Sequence, residues 1–252
     1  MAQKSREIEH AIEVFVRGFC VGKSATHPYE HSRIGKLWLM RDAERRNPRN
    51  YRKEEWIAYG VEPREVDRVA RQHTRGRFFV CAIVGADESD ESLRASYKQL
   101  GYRLLATEPL FVQRLKKIPR AVSPVAIEQV TTVEMAERFG KATRTRPIPA
   151  EQLSKDAPFR QYVALDGEKI VGWVRSVNAI DSTWCSHMYV RESHRRRGIG
   201  TALLERMLRD DRRRGAKQSV LLSSHTGALV YPRVGYEQIG LLLIFAPKRK
   251  AS

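Results

Sequence analysis

The sequence predicts a mixed α/β fold, in which helices flank a sheet of parallel and antiparallel strands. Three observations lead to this prediction. Short apolar runs alternate with helical segments along the chain, a glycine-bearing basic turn joins a strand to an amphipathic helix within residues 187–210, and both halves end in a similar strand–helix–glycine–strand pattern. At 252 residues, the chain can bury one large core or two modest ones.

The first half alternates helices with apolar strands. Residues 5–17 carry apolar side chains at helical spacing and predict a first helix, which a polar loop follows. The next predicted segments are a strand at 34–40, a charged irregular stretch at 41–56, a helix at 63–73, a strand at 77–84, a helix at 92–100 and a long strand at 102–115.

The second half begins after a basic linker that ends at Pro124. Asp166-Gly167 is a strong hairpin signal between two of its strands. The predicted segments are a strand at 125–130, a helix from Thr131 or Thr132 to about Phe139, a loop at 143–158, strands at 159–166, 169–178 and 183–190, a helix after the basic turn, a strand at 218–223, a short helix at 226–234 and a last strand to 246. We therefore expect two domains, residues 1–120 and 121–252.

The basic turn is typical of an anion site. Gly198 and Gly200 open the helix that follows it, so backbone N–H groups are exposed at the positive end of the helix dipole without side chains covering them. Neighbouring arginines add charge and paired hydrogen bonds. The apolar face of the helix is formed by Ile199, Leu203, Leu204, Met207 and Leu208.

Two motifs together indicate a family. Directly after a predicted strand, the chain carries Arg195-x-x-Gly198-x-Gly200. Later, Ala228–Tyr231 forms a short helix, and Val234–Tyr236 supplies a glycine followed by an aromatic residue. In this order of strands and helices, the pair resembles the acyl-CoA loop and the closing turn of the Gcn5-related N-acetyltransferase (GNAT) superfamily. The resemblance covers the second half and implies the GNAT acyl-CoA N-acyltransferase fold.

The resemblance also implies a co-substrate, acetyl-CoA, and no metal. The strand before the loop would pair its backbone with the pantetheine arm, and the loop would hold the pyrophosphate through its N–H groups. Ser224, before the last helix, would contact the CoA arm. The residues implied to bind CoA are thus Met188, Tyr189, Val190, Arg195, Arg196, Arg197, Gly198, Ile199, Gly200, Thr201 and Ser224.

Acyl transfer to an amine needs a base for the amine and an acid for the departing thiolate. Tyr231 matches the family's general acid, although Pro232 after it departs from the usual pattern. His187 has a suitable ordinary pKa and is our candidate base, acting directly or through a water. The base remains open, because ordered water could suffice and other candidates exist, namely Glu151, Glu192, His27 and Glu30.

The first half contains a fainter copy of the same ending. The segment Leu93–Tyr102 parallels Leu229–Tyr236, so that Tyr97 matches Tyr231 and Gly101 matches Gly235. Residues 41–76, however, contain no Arg-x-x-Gly-x-Gly sequence. We therefore expect a tandem arrangement, in which a degenerate GNAT-like first half forms a wall of the substrate cleft and stabilises the catalytic second half.

The predicted function is transfer of an acetyl group from acetyl-CoA to a primary amine by direct attack in a ternary complex. A small-molecule amine is favoured, and the net charge of +17 favours one that carries a phosphate or carboxylate. The alternatives are a protein or peptide acceptor, or a non-catalytic acyl-CoA sensor or nucleic-acid-binding regulator on the same fold. A nucleic-acid partner is not favoured, because the basic clusters have local explanations; they lie at 195–197, 212–214 and 248–250.

Composition and patterning bear on the cellular setting. No apolar run approaches about eighteen residues, so no membrane-spanning helix is expected. The N-terminal segment has acidic residues where a signal peptide needs an apolar centre. The three cysteines lack metal-site spacing, which favours a reduced, cytoplasmic protein. We expect a monomer or homodimer.

Overall fold

The computed structural model describes residues 2–154 and 157–248, so the end of the third basic cluster, from position 249, lies outside the described residues. The described residues form five α-helices and eleven β-strands. The helices are α1 (Ala2–Lys23), α2 (Pro63–His73), α3 (Glu91–Gln99), α4 (Val133–Thr143) and α5 (Ile199–Arg213). The strands are β1 (Tyr29–Ile34), β2 (Leu37–Asp42), β3 (Glu54–Tyr59), β4 (Phe78–Gly85), β5 (Tyr102–Gln113), β6 (Ala126–Gln129), β7 (Phe159–Asp166), β8 (Lys169–Ala179), β9 (Ser182–Val190), β10 (Ser219–Leu222) and β11 (Glu237–Pro247).

Contacts divide the chain into two compact units that do not follow the sequence from end to end. The first unit comprises the described residues of Met1–Phe111, Leu222–Thr226 and Gln238–Ser252. The second unit comprises those of Val112–Leu221 and Gly227–Glu237.

The sheet of the first unit has the strand order β1-β2-β3-β4-β11-β5. The pairs β1–β2, β2–β3 and β4–β11 are antiparallel, whereas β3 and β4 are parallel. Its core contains large buried aromatic residues from strands and helices, including Trp56, Tyr97 and Phe245. The Tyr97 ring stacks on Phe245 with 4.4 Å between ring centroids, so the C-terminal strand is part of this core.

The predicted boundary at residue 120 therefore differs from the structure at the C-terminal end. Residues 238–248 belong with the first unit, because β11 pairs with β4 from Gly240 opposite Gly85 to Phe245 opposite Val80. A Cβ at Gly240 would lie 2.8 Å from the carbonyl oxygen of Val84, so the two strands approach closely there.

The sheet of the second unit has the order β10-β9-β8-β7-β6. The strands from β6 to β9 pair antiparallel, and β9 pairs parallel with β10. Helix α5 packs on one face, where a Cβ at Gly172 would lie 3.1 Å from Cδ1 of Leu203. Helix α4 lies on the other face, where Phe139 contacts Trp173 edge to face. The side chains of successive β8 residues therefore alternate between α5 and α4.

Several predicted elements match, and three differ. The helix predicted at 63–73 is α2, and the predicted hairpin is formed by β7 and β8. The segment predicted as a polar loop contains the end of α1 and all of β1, and the irregular stretch at 41–56 contains the start of β3. The charged residues of β3 do not indicate a buried strand. Glu54 is nevertheless buried, and its carboxylate accepts a hydrogen bond from the Thr74 hydroxyl at 2.6 Å. The predicted last helix is two 3₁₀ turns, Gly227–Leu229 and Tyr231–Val234.

Candidate functional site

Strands β9 and β10 of the second unit diverge soon after they begin to pair. Their parallel register consists of two residue pairs, Ser219 with Thr183 and Val220 with Trp184. Strand β9 nevertheless continues to Val190. In this register, no residue of β10 pairs with the later residues of β9. The β10 side of β9 is therefore a strand edge that an extended ligand can bind.

A β-bulge lies in the same part of β9. Trp173 of β8 pairs with Tyr189, but Arg175 pairs with Ser186, so His187 and Met188 together stand opposite a single β8 residue. His187 adopts a left-handed conformation with φ of 53°, which is uncommon for a residue other than glycine. Bulges redirect side chains and interrupt pairing, and here the bulge turns His187 toward the α4 face.

The basic turn after β9 has a backbone shape that favours glycine. Gly198 is the N-cap of α5 with φ of 80°, and no side chain caps the helix there. A Cβ at Gly200 would lie 3.1 Å from Cε of Met188, so a larger residue would push against β9. The N–H groups of the first helical turn have no intrahelical acceptor, which leaves them for an anion.

The three arginines of the turn are exposed at its surface. Arg195 donates through Nε to the carbonyl oxygen of Val190 at 3.1 Å, and its guanidinium lies 5.8 Å from the Tyr189 ring centroid. Arg196 has φ of 62°, and Arg197 lies 3.9 Å from a carboxylate oxygen of Asp166. Arg195 therefore fixes the turn to the end of β9, while the other two add positive charge around it.

A buried ion pair holds the far end of α5 against the sheet. Arg160 of β7 and Asp211 are 2.8 Å apart, and both side chains are almost completely buried. Ser176 and Thr183 also donate hydroxyl hydrogen bonds to this carboxylate, at 2.8 and 2.9 Å. Burial raises the pKa of Asp211, and the Arg160 charge opposes that rise. The network positions α5, and with it the turn at the opposite end of the helix.

His187 lies among aromatic rings on the α4 face. Its ring centroid is 6.1 Å from Phe139 and 6.0 Å from Trp173, which also stacks on Tyr189 at 4.6 Å. His187 is an exposed residue by its accessible surface. Desolvation by the surrounding protein, followed by the positive charge of Arg175, nevertheless lowers the pKa of His187 to about 4. The imidazole is therefore neutral near pH 7 and can accept a proton.

Tyr231 lies close to the beginning of α5. It starts the second 3₁₀ turn, is buried, and packs edge to face on Tyr236 at 5.7 Å. The residue before it, Val230, would be 3.9 Å from a Cβ at Gly200. The structure thus brings together the basic turn and the tyrosine, which are separated by some thirty residues of sequence.

The glycine–aromatic turn after Tyr231 is fixed by a buried amide. Gln113 donates through Nε2 to the carbonyl oxygen of Val234 at 2.6 Å. A Cβ at Gly235, where φ is 84°, would overlap this amide. Glycine is therefore required there by both backbone shape and packing.

The other residues that the sequence predicts for the site lie in both units. Ser224 belongs to the 222–226 segment of the first unit, in which Ser223 N donates to the Pro109 carbonyl oxygen at 3.1 Å. Ile199 is buried, and Thr201 is partly buried in the first turn of α5. Of the alternative bases, Glu192 lies 3.6 Å from Arg195, Glu151 is exposed in a 3₁₀ turn, and His27 and Glu30 belong to the first unit.

Three further residues belong to the α4 face around His187 and were not among the predicted site residues: Phe139, Trp173 and Arg175. The alternation of β8 carries the signal, since Trp173 and Arg175 are two apart and must share a face. Nothing in the sequence indicates that the His187 side chain lies on this α4 face.

In the first unit, the connection from β3 to α2 differs from the basic turn between β9 and α5. Strands β3 and β4 pair over six residue pairs, up to Tyr59 with Ile83, and so do not diverge before β3 ends. Helix α2 begins with Glu62 as N-cap and Pro63 as first residue. A carboxylate and a residue without an N–H disfavour an anion there. A cavity of about 890 Å³ lies beside this helix start, but its lining includes Glu9, Glu62 and Glu88.

Two classes of site are not found within residues 2–154 and 157–248. Every helix there is too short or too polar to span a membrane. In the same described parts of the chain, no three histidine, cysteine, aspartate or glutamate side chains are grouped so that they could hold a metal ion. Cys20, Cys81 and Cys185 are buried free thiols.

Comparison with known proteins identifies the domain that carries this site. Residues 158–238 match the family model of the acetyltransferase (GNAT) domain. No sequence among the curated proteins matches the chain.

Solved structures extend the likeness to the whole fold. A GCN5-related N-acetyltransferase from Kribbella flavida has a TM-score of 0.62 at 15% identity, over 95% of this chain and 96% of that one. A functionally unknown conserved protein from Staphylococcus epidermidis has a TM-score of 0.59 at 16% identity, over 90% and 97%. A GCN5-related N-acetyltransferase from Sphaerobacter thermophilus has a TM-score of 0.54 at 20% identity, over 96% and 94%. These matches include the first half, and at such identities they establish a shared fold.

Proposed function

Because residues 158–238 form an acetyltransferase (GNAT) domain, we propose that the chain transfers an acetyl group from acetyl-CoA to a primary amine of a small molecule. The observation that carries this proposal is the divergence of β9 from β10 beside the glycine turn of α5. It combines an unpaired strand edge with an anion site, which suits a ligand with an extended amide arm and a pyrophosphate.

In this proposal the pyrophosphate of acetyl-CoA binds the turn and first helical residues, Arg195 to Thr201. The N–H groups at the start of α5 donate to the phosphate oxygens, and Arg196 and Arg197 supply charge. The backbone of Met188, Tyr189 and Val190, on the side that faces away from β8, bonds the pantetheine amides. A backbone N–H in this segment also polarises the thioester carbonyl as the tetrahedral oxyanion forms.

The amine side of the reaction is assigned to the α4 face. A neutral amine attacks the thioester carbonyl carbon, a C–N bond forms, and the amine proton passes to His187 directly or through a water. A lowered pKa keeps His187 unprotonated and ready at neutral pH, but makes it a weak base. This favours a water relay, in which the imidazole accepts a hydrogen bond from an ordered water, and that water takes the amine proton while passing one of its own to solvent.

The thiol side is assigned to Tyr231. As the C–S bond breaks, the phenol donates its proton to the thiolate, and CoA leaves as a thiol. A buried phenol next to the start of α5 is consistent with this role. A phenol ordinarily has a pKa near 10, which is somewhat above that of a thiol. The tyrosinate left after the transfer therefore readily takes up a proton from solvent.

A small acceptor is supported by the aromatic cluster around His187. The rings of Phe139, Trp173 and Tyr189 form an apolar surface beside the imidazole. Such a surface suits the apolar part of a small amine better than an extended polar chain. We further propose that the enzyme works in the cytoplasm as a monomer or homodimer.

The test is release of CoA thiol from acetyl-CoA by the purified full chain in the presence of a panel of amines. We expect at least one amine to accelerate thiol release by about 100-fold or more over hydrolysis, with the N-acetyl product identified by mass spectrometry. Binding of acetyl-CoA without thiol release on any amine would instead mean a sensor. Salt-dependent retention on DNA without acetyl-CoA binding would mean a regulator.

A further inference from the structure

Arg175 is a partly buried cation in the middle strand of the second unit. It lies on β8 two residues after Trp173, and therefore on the α4 face rather than the α5 face. Burial lowers the pKa of its guanidinium to about 10. A charge removed from water in this way normally has a carboxylate partner.

The guanidinium is held in one orientation by neutral groups. Its carbon lies 4.5 Å from the ring centroid of Phe159, and Nε donates to Oε1 of Gln161 at 3.0 Å. The Gln161 amide nitrogen in turn donates to the carbonyl oxygen of Val174 at 2.9 Å, which fixes its oxygen toward the arginine. The planar fork of Arg175 is thus preorganised before any ligand arrives.

Within residues 2–154 and 157–248, no carboxylate forms an ion pair with Arg175. The one hydrogen bond that its side chain makes to these residues is the bond from Nε to Gln161. Arg160 provides the contrast within the same sheet. That arginine, on the α5 face, is paired with Asp211 at 2.8 Å and also bonds Ser176 and Asn178. One face of the sheet therefore pairs its arginine internally, and the other presents a guanidinium whose two terminal nitrogens have no partner among residues 2–154 and 157–248.

Arg175 is next to the residues that we assign to the amine. It pairs with Ser186, directly before His187, and its charge contributes to the lowered pKa of that histidine. An anion bound at Arg175 would therefore lie beside the imidazole and the Trp173 ring. A carboxylate suits this site, because it accepts two parallel hydrogen bonds from a guanidinium fork.

We infer that the acceptor is an amine that also carries a carboxylate, such as an amino acid, and that Arg175 binds this carboxylate through its terminal nitrogens. This inference rests on the proposed acetyl transfer and adds the substrate class. The carboxylate anchors one end of the acceptor, the aromatic rings hold its apolar part, and the amine is directed to the bulge of β9.

The experiment compares amines in matched pairs with the full chain and saturating acetyl-CoA. Each of the twenty common amino acids and several longer amino acids is offered as the free acid and as its carboxamide. The wild-type chain should use at least one acid with a kcat/KM about 100-fold above that of its carboxamide. This comparison needs no variant, so a folding defect cannot affect it.

The variant Arg175→Gln should reduce the acid-to-carboxamide ratio to about threefold or less, mainly through KM for the acid. Arg175→Lys should restore part of the ratio, because a point charge replaces the fork. Arg138→Gln is the control, since this exposed-surface arginine of α4 bonds the Glu168 carbonyl oxygen, and it should leave the ratio unchanged. Thermal denaturation should show that Arg175→Gln is folded, and Arg175→Met provides a second neutral replacement.

The two proposals fail in different ways. If amines are acetylated but acids and carboxamides react alike, or if Arg175→Gln keeps the preference, the carboxylate inference is overturned and acetyl transfer stands. If the chain acetylates amines but none of the acids, the inference is likewise overturned. If acetyl-CoA binds but no CoA thiol is released with any amine, the proposed acetyl transfer is overturned, and the carboxylate inference is overturned with it.

Discussion

Gly200 and Val230 meet at the beginning of α5: a Cβ built on the glycine would lie 3.9 Å from Cγ1 of the valine. Tyr231 follows Val230 directly, so the second 3₁₀ turn begins beside the glycine turn of α5. In the proposed function, the glycine turn binds the pyrophosphate and Tyr231 supplies an acid near it.

Tyr231→Phe should lower kcat for amine acetylation about 100-fold, because the leaving thiolate loses its proton donor. KM for acetyl-CoA should change little, since the ring is retained. Steady-state kinetics with thiol detection provide the measurement. Tyr236→Phe is the matched control: it loses the hydrogen bond to Ser219 at 2.8 Å and should lower the free energy of unfolding by about 1 kcal/mol without a comparable loss of kcat. Unchanged turnover in Tyr231→Phe would remove the tyrosine from the mechanism.

Gly198→Glu should weaken acetyl-CoA binding by about 100-fold or more, because it introduces a carboxylate and a strained backbone at the positive end of α5. Gly215→Glu is the control at the other end of the same helix, where φ is also positive, at 86°, and no atom would meet a Cβ within 4 Å. It introduces similar strain and the same charge away from the proposed site. Isothermal titration calorimetry distinguishes them, and equal affinities in the two variants would show that the turn does not bind the pyrophosphate.

Asp211→Ala should lower the free energy of unfolding by about 3–5 kcal/mol, because it leaves Arg160 buried without its partner. Asp181→Ala removes a surface pair, in which Asp181 lies 2.8 Å from Lys217, and should lower the free energy of unfolding far less, because solvent screens an exposed pair. Urea denaturation of both variants gives the comparison. A small effect for Asp211→Ala would mean that water reaches Arg160 once the carboxylate is gone.

His187 should make the stability of the chain fall as the pH drops from about 6.5 toward 4. Its pKa is about 4 in the folded chain and ordinarily 6.5, so in this window the unfolded chain binds a proton that the folded chain does not, which favours unfolding. His187→Gln should reduce the loss of stability between pH 6.5 and 4.5 in urea denaturation. The groups that face the ring are Phe139, Trp173 and Arg175. An identical pH dependence in the variant would mean that the imidazole is not shielded from water.

Much of the fold could be predicted from local pattern, and what could not be predicted depends on long-range pairing. The helix at 63–73 has a proline start and a clear apolar face, so it was predicted with its observed ends. The position of β11 could not be predicted, because its apolar alternation would suit a sheet in either half. Strand β3 does not follow from the sequence, because its buried Glu54 accepts hydrogen bonds from the Thr74 hydroxyl and the Arg75 backbone N–H, which lie some twenty residues later.

The candidate site was predictable to a similar degree. The turn at 195–201 follows from glycine and arginine spacing, and the structure places it at the start of α5 as expected. The bulge at His187 depends on how β8 pairs with β9, and a register shift leaves no mark in the sequence of one strand. Arg175 could not be recognised for the same reason, since whether an arginine has an internal partner depends on residues from other strands.

The place of β11 in the first unit has a consequence for biosynthesis. Residues 238–248 are synthesised after every other strand of the first unit, so β4 has no β11 to pair with until they emerge from the ribosome. Until then the nascent first unit exposes an apolar strand edge, which is a template for aggregation. A stop codon near residue 237 would therefore leave β4 unpaired and damage the first unit, although the missing residues lie far from it in sequence.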